Sequence, residues 1–212
     1  MFTYLKKESF VENNILAELQ GAFDQEFQGN ANAPYENVRE ITNLSRYGKA
    51  INHLYANITR LIENETEYKV EFQKLWLVSS THKNCDASRL PYIPHFDKAR
   101  YLKALIYLND VDENTGPIHL SSQADESIDE RRRQLPEDYK TSQLNRITDI
   151  AAQNMPVPIT GKAGTLILFD TNTPHHAGIV KEGHQRNVMR FDMENSHWNK
   201  RTLSSKVKRL FS

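Results

Sequence analysis

The sequence is poor in several features that mark whole classes of protein. It has one cysteine, Cys85, so it cannot form an intramolecular disulfide, and a disulfide-stapled secreted framework is excluded. It has no net charge, with 27 basic residues against 27 acidic ones, and so lacks the basic excess that concentrates a protein on nucleic acid. No run approaches the roughly 18 apolar residues of a membrane-spanning helix. The opening segment MFTYLKKESFVENN lacks the apolar stretch of a secretory signal. Internal repeats and low-complexity tracts are also missing. These absences lead to the expectation of one cytoplasmic domain over the 212 residues, a monomer or homodimer, with a small-molecule partner and neither nucleic acid nor membrane as its target.

The chain does contain helices first and short strands afterwards. From Ser9 to Phe27, residues Phe10, Ile15, Leu16, Leu19 and Phe23 recur at helical spacing and stop at QGNANAP, a turn-rich linker. A second stripe, Leu44, Tyr47, Ile51, Leu54, Tyr55, Ile58, Leu61 and Ile62, predicts a scaffold helix. From Tyr68 the period changes to two in YKVEFQKLWLVSS, as in a half-buried strand. RYLKALIYLND, GPIHLSS, VPIT, GTLILFD and RNVMRFDM come next, short and bounded by turn residues. This order predicts a mainly β sandwich or jelly roll with a helical buttress, not alternating βαβ units. We divide it into N-terminal helices over 1–66, a β core over 67–193 and a basic C-terminal tail over 194–212. Within the core, 124–155 is rich in charge and poor in aliphatics and reads as a lid-like insertion. Its Arg131, Arg132 and Arg133 are expected on a solvated helix face, opposite neighbouring carboxylates.

The residues with chemical potential lie at three places. HFD, His95 and Asp97, is the one H-x-D in the chain; alternation in extended chain turns both side chains to one face and Phe96 to the other. Two histidines and a carboxylate are a common donor set for mononuclear iron, with coordination positions left open. TPHHAGIVKEGHQR offers adjacent histidines, His175 and His176. In extended chain they point to opposite faces, so only one of them can join the other two ligands. An arginine at the start of the next strand suits bidentate recognition of a carboxylate, which a lysine matches less well. His53, His82, His119, His184 and His197 have no carboxylate at ligand spacing and are expected to be structural.

In order and spacing, HFD, LKALIYLNDVDENTGPI, GTLILFD, PHHAG and RNVMRF resemble the Fe(II)- and 2-oxoglutarate-dependent dioxygenases, specifically the phytanoyl-CoA hydroxylase (PhyH-like) family, over about residues 68–193. The resemblance implies a double-stranded β-helix, a cupin-like jelly roll. Fe(II) would be held by His95, Asp97 and one of the paired histidines: His175 if HHAG is the family's H-x-A-G, with His176 as the alternative. It also implies that Arg186, eleven residues after His175, binds the distal carboxylate of 2-oxoglutarate in preference to Arg190. Lys103 and Tyr107, on one face of the strand after HFD, would reach the same co-substrate. The expected activity is hydroxylation of an unactivated C–H bond of a small or medium metabolite, using dioxygen and releasing succinate and CO2. Asp97 favours hydroxylation because related halogenases lack that carboxylate, with desaturation and ring formation as the alternatives. The chain departs from the family at GPIHLSSQADES, where many members carry a histidine after the serine. The rival readings are a zinc-dependent cupin-type enzyme and a non-catalytic jelly-roll binding protein.

Overall fold

The computed structural model describes residues 3–27, 37–44, 48–66, 68–195 and Trp198. The turn-rich linker, Tyr47, His197 and nearly all of the basic tail lie outside them. The described residues form nine strands and three α-helices in the order β1 (Tyr4–Lys7), α1 (Asn13–Phe27), β2 (Asn37–Ile41), α2 (Lys49–Thr66), β3 (Val70–Thr81), β4 (Leu102–Tyr107), β5 (Ile118–Leu120), α3 (Ser127–Arg133), β6 (Val157–Ile159), β7 (Leu166–Asp170), β8 (His175–Ala177) and β9 (Gln185–Asn195). The strands make an antiparallel major sheet, β1-β7-β4-β9-β3-β2, and a minor sheet, β6-β5-β8.

The architecture reflects which residues each strand presents to each face. On β4, Leu102, Ala104 and Ile106 join an outer core with Leu75, Leu77, Leu166, Leu168, Met189 and Phe191. The alternate residues Leu105 and Tyr107 face inward, onto Ile118, Leu120 and Ile159 of the minor sheet. All six β4 residues are buried, as expected of a central strand covered on both faces. The outer cover is helical: α2 contributes Ile51, Leu54, Ile58 and Ile62, and α1 contributes Leu16, Leu19 and Phe23. Ile58 and Ile62 are fully buried, so shortening either to Ala removes about 2–5 kcal/mol of stability. The result is the expected jelly roll with a helical buttress.

The 1–66 segment is not purely helical, because β1 and β2 add the two outermost strands of the major sheet. Edge strands are held through backbone pairing along one side. Tyr4–Lys7 and Asn37–Ile41 are four and five residues long, too short and too charged to display alternation. The first helix also begins later than Ser9, at Asn13, since Ser9 has φ 52° and interrupts any helix through it. The 124–155 insertion contains α3 and a 3-10 turn at Ala152–Asn154. It packs on the core through a small apolar cluster of Phe96, Ile128 and Ile147.

Candidate active site

The β8 backbone draws the first two candidate ligands together. His95 N donates to His175 O at 3.0 Å and His175 N to His95 O at 3.2 Å. Residues paired in this way project their side chains to the same face, and the two imidazole centroids are 4.5 Å apart. Asp97 completes the group: one ligand atom from each of His95, Asp97 and His175 lies within 4.8 Å of the others. His176 points to the opposite face and stacks on His119 of β5, 4.3 Å between centroids at 18°. Alternation along β8 thus turns His175 towards His95 and Asp97 and His176 away from them.

Hydrogen bonding fixes how these rings are presented. His95 Nδ1 lies 2.8 Å from the Ile93 carbonyl and His175 Nδ1 lies 2.9 Å from that of Thr173. A carbonyl only accepts, so each Nδ1 carries the proton and each Nε2 presents a lone pair, which at His175 faces Lys103 Nζ at 3.1 Å. Metal-binding histidines are oriented by this type of bond. Burial, with the neighbouring His175, holds His95 down to about 3; burial, then Lys103, lowers His175. Both rings are neutral at pH 7 and able to act as ligands. Burial works to raise Asp97, but the Lys103 ammonium, helped by His175, outweighs it and holds the carboxyl well below its usual range. Asp97 Oδ2 is buried and accepts no well-directed hydrogen bond, although Lys103 Nζ lies 2.6 Å away. Two imidazole lone pairs, one of them facing the Lys103 ammonium, and an under-coordinated carboxylate oxygen fit a divalent metal ion.

His95 and His175 border a cavity of about 290 Å³, walled by Val78, Leu105, Ile118, Phe169 and Val188 and reached by Lys103, Tyr107, Arg186 and Arg190. Arg186, 5% exposed, donates through Nη1 to the Gly116 carbonyl and through Nη2 to Ser80 Oγ at 3.2 Å. Gly116 has φ +70°, and a Cβ there would meet the Gly178 carbonyl at 2.6 Å, so only glycine places that carbonyl under the arginine. Arg190 is already matched: Nε and Nη2 each donate to Asp192 at 2.9 Å, and its guanidinium lies 5.0 Å above the Trp76 ring.

Lys103 and Tyr107 both line this cavity, and both have partners within the protein. Lys103 Nζ lies between Asp97 and His175, 3.1 Å from His175 Nε2, and burial lowers its pKa. The Tyr107 hydroxyl donates to Ile159 O at 2.7 Å and accepts from Ile118 N at 3.2 Å. It joins the two sheets, and burial pushes it up to about 12. Of the histidines expected to be structural, His53 bonds Asn57 and His82 bonds the Val180 carbonyl.

Sequence reasoning missed Arg132. The expected solvated face does not hold for it, since its side chain is 7% exposed and it donates to the Asp97 carbonyl at 2.7 Å. The signal was present: Arg132 lies one helical turn after buried Ile128 and so shares its inward face.

Fold and site together define a jelly-roll protein with a two-histidine, one-carboxylate donor set opening on a cavity with a buried arginine. The sequence model of the family described as Phytanoyl-CoA dioxygenase (PhyH) matches residues 23–188, and the chain belongs to this family. No curated protein matches the sequence. Among solved structures it resembles SnoN, a non-heme alpha ketoglutarate dependent epimerase from nogalamycin biosynthesis. The TM-score is 0.64 at 14% identity, over 92% of this chain and 78% of SnoN; SnoN is also known in complex with Fe3+, alpha ketoglutarate and nogalamycin RO. The carbocyclase SnoK of the same biosynthesis gives a TM-score of 0.61 at 12% identity, over 91% and 79% of the two chains. A prolyl hydroxylase from Trichoplax adhaerens gives 0.60 at 14%, over 93% and 86%. At these identities the likeness establishes the shared fold.

Proposed function

We propose that this protein is a non-haem Fe(II)- and 2-oxoglutarate-dependent dioxygenase that hydroxylates a C–H bond of a small or medium metabolite. One observation carries the reading: the Nε2 lone pairs of His95 and His175 and the carboxylate of Asp97 converge beside a cavity that also holds the buried Arg186. Such a centre supplies dioxygen reduction, with two electrons from oxidative decarboxylation of 2-oxoglutarate to succinate and CO2 and two from the substrate C–H bond.

The chain's own residues provide the rest. His95, Asp97 and His175 hold the metal, the Nδ1 bonds of the two histidines to Ile93 and Thr173 fixing tautomer and orientation. Arg186 grips the distal carboxylate of the co-substrate, its guanidinium fixed in advance by Gly116 and Ser80. The apolar walls Leu105, Ile118, Phe169 and Val188 exclude water. Lys103, whose ammonium contacts Asp97 and His175, would be repelled by a dication held there. The buried Arg186 in the same cavity as the ligands suits bidentate capture of the co-substrate's distal carboxylate, so we favour the oxygenase reading over a hydrolytic zinc enzyme. The likeness to an epimerase and a carbocyclase bears on the fate of the substrate after C–H cleavage; the carboxylate in the ligand set favours hydroxylation over halogenation, and the products formed with a substrate from the panel distinguish hydroxylation from epimerisation and ring closure. The test is Fe(II)-dependent succinate release from 2-oxoglutarate with oxygen uptake, stimulated by substrates in a metabolite panel. His175→Ala should abolish it and His176→Ala should retain it; succinate release that survives His175→Ala would falsify the assignment.

A further inference from the structure

Arg132 touches the backbone of both ligand-bearing loops. Its Nε donates to the carbonyl of Asp97, at 2.7 Å. Its Nη2 donates to Thr171 O at 2.8 Å and to Thr171 Oγ1 at 3.3 Å, and its Nη1 donates to Asn172 Oδ1. Residues 171–173 are the turn that leads into His175, and the Thr173 carbonyl of that turn accepts from His175 Nδ1. The remaining Nη1 hydrogen is directed at Asp129 Oδ1, 2.7 Å away on the same helix. All five N–H groups of the guanidinium are therefore used, which is the full capacity of arginine.

The rest of the insertion repeats the arrangement on the first loop. Ile147 N donates to Pro94 O at 2.8 Å, Phe96 N to Asn145 O at 3.1 Å, and Asn145 Nδ2 to Phe96 O at 2.7 Å. Phe96, turned away from the ligands, is buried against Ile128 and Ile147. His95 and Asp97 thus stand on a loop whose backbone is bound on one side by β8 and on the other by the 124–155 segment. That segment, read from sequence as a lid, is a template for the ligand loop.

We propose that Arg132 is the positioning residue of the metal centre, setting the separation of Asp97 from His175 by tying their loops to a single planar group. The proposal rests on the dioxygenase reading of the same site. No other side-chain type offers five donors in a rigid fork, so lysine at this position keeps the charge but releases one loop or the other. Substitution of partners that orient metal ligands weakens metal binding by about ten- to a hundredfold, and that loss is expected for both Arg132→Lys and Arg132→Ala.

The experiment is titration of the metal-free full-length protein with Co(II), monitored by visible absorbance. Wild type, Arg132→Lys, Arg132→Ala and the control Arg133→Ala are compared; Arg133 is exposed and pairs with Glu130. The expected result is about tenfold or greater loss of Co(II) affinity in both Arg132 variants, with an altered absorption spectrum at saturation, and wild-type behaviour in Arg133→Ala. A residue that merely supports the fold would lower the melting temperature and leave the saturated spectrum unchanged. If Arg132→Ala does not fold, Arg132→Lys, which retains the buried cation, decides by the same criteria. Co(II) affinity within about twofold of wild type and an identical spectrum in a folded Arg132 variant would overturn the proposal. Failure of the wild type itself to take up Co(II) would instead overturn the oxygenase reading.

Discussion

Arg186 offers the sharpest quantitative prediction. Its side chain is nearly inaccessible, 5% exposed, so a carboxylate bound to it is removed from water and depends on the guanidinium for compensation. Arg186→Gln keeps the stem and a donor but removes the charge. Breaking a buried ion pair by deleting one partner costs about 3–5 kcal/mol, because the remaining charge is left uncompensated. At about 1.4 kcal/mol per factor of ten, the Kd for 2-oxoglutarate should rise by roughly two to three and a half orders of magnitude. Co(II) affinity should stay near wild type, since Arg186 makes its side-chain bonds to Gly116 and Ser80 and not to the three candidate ligands. The assay is titration of the Co(II)-loaded protein with 2-oxoglutarate. Arg190→Gln is the matched comparison, because Arg190 is neutralised by Asp192 and should change the Kd less than about tenfold. A Kd for Arg186→Gln within about tenfold of wild type, or a larger effect from Arg190→Gln, would show that the co-substrate is held elsewhere.

The remaining predictions concern stability and loop geometry. His95 titrates near 3 in the fold against 6.5 unperturbed; its folded pKa is depressed, so its contribution is complete above about pH 6.5 and is lost as pH falls towards 3. Urea unfolding of the metal-free protein should therefore give roughly 2 kcal/mol less stability from this group at pH 5 than at pH 7, and equal stabilities at the two values would refute the burial argument. Ile58→Ala, emptying a fully buried position on α2, should reduce unfolding free energy by about 2–5 kcal/mol without altering metal affinity. Gly116→Ala should both lower the melting temperature and weaken 2-oxoglutarate binding, since its Cβ meets the Gly178 carbonyl and displaces the carbonyl that orients Arg186. A variant that binds the co-substrate normally would separate Gly116 from the arginine.

The sequence was most informative where side chains alternate against a core. Leu102, Ala104 and Ile106 against Lys103, Leu105 and Tyr107 gave β4 its two faces, and the same rule allowed only one of His175 and His176 inside. It said least where backbone alone decides. β1 and β2 are sheet edges with no apolar pattern of their own, and β8, three residues long, is a strand because β5 and the His95 loop bond to it. Lys103 illustrates a different limit: its place on the inward face was legible, but its contact with Asp97 depends on where the loop returns. Arg132 was overlooked because three consecutive arginines look alike in composition, and only helical phase relative to Ile128 separates the buried one.

The most direct test of the central claim is anaerobic addition of Fe(II) and 2-oxoglutarate to the metal-free protein. A keto acid chelated to Fe(II) absorbs in the visible, and neither component does so alone. We predict a band that saturates at one equivalent of iron, persists in His176→Ala and is absent from His175→Ala. Wild-type protein that binds iron yet develops no band, or a band that survives loss of His175 and disappears with His176, would contradict the account.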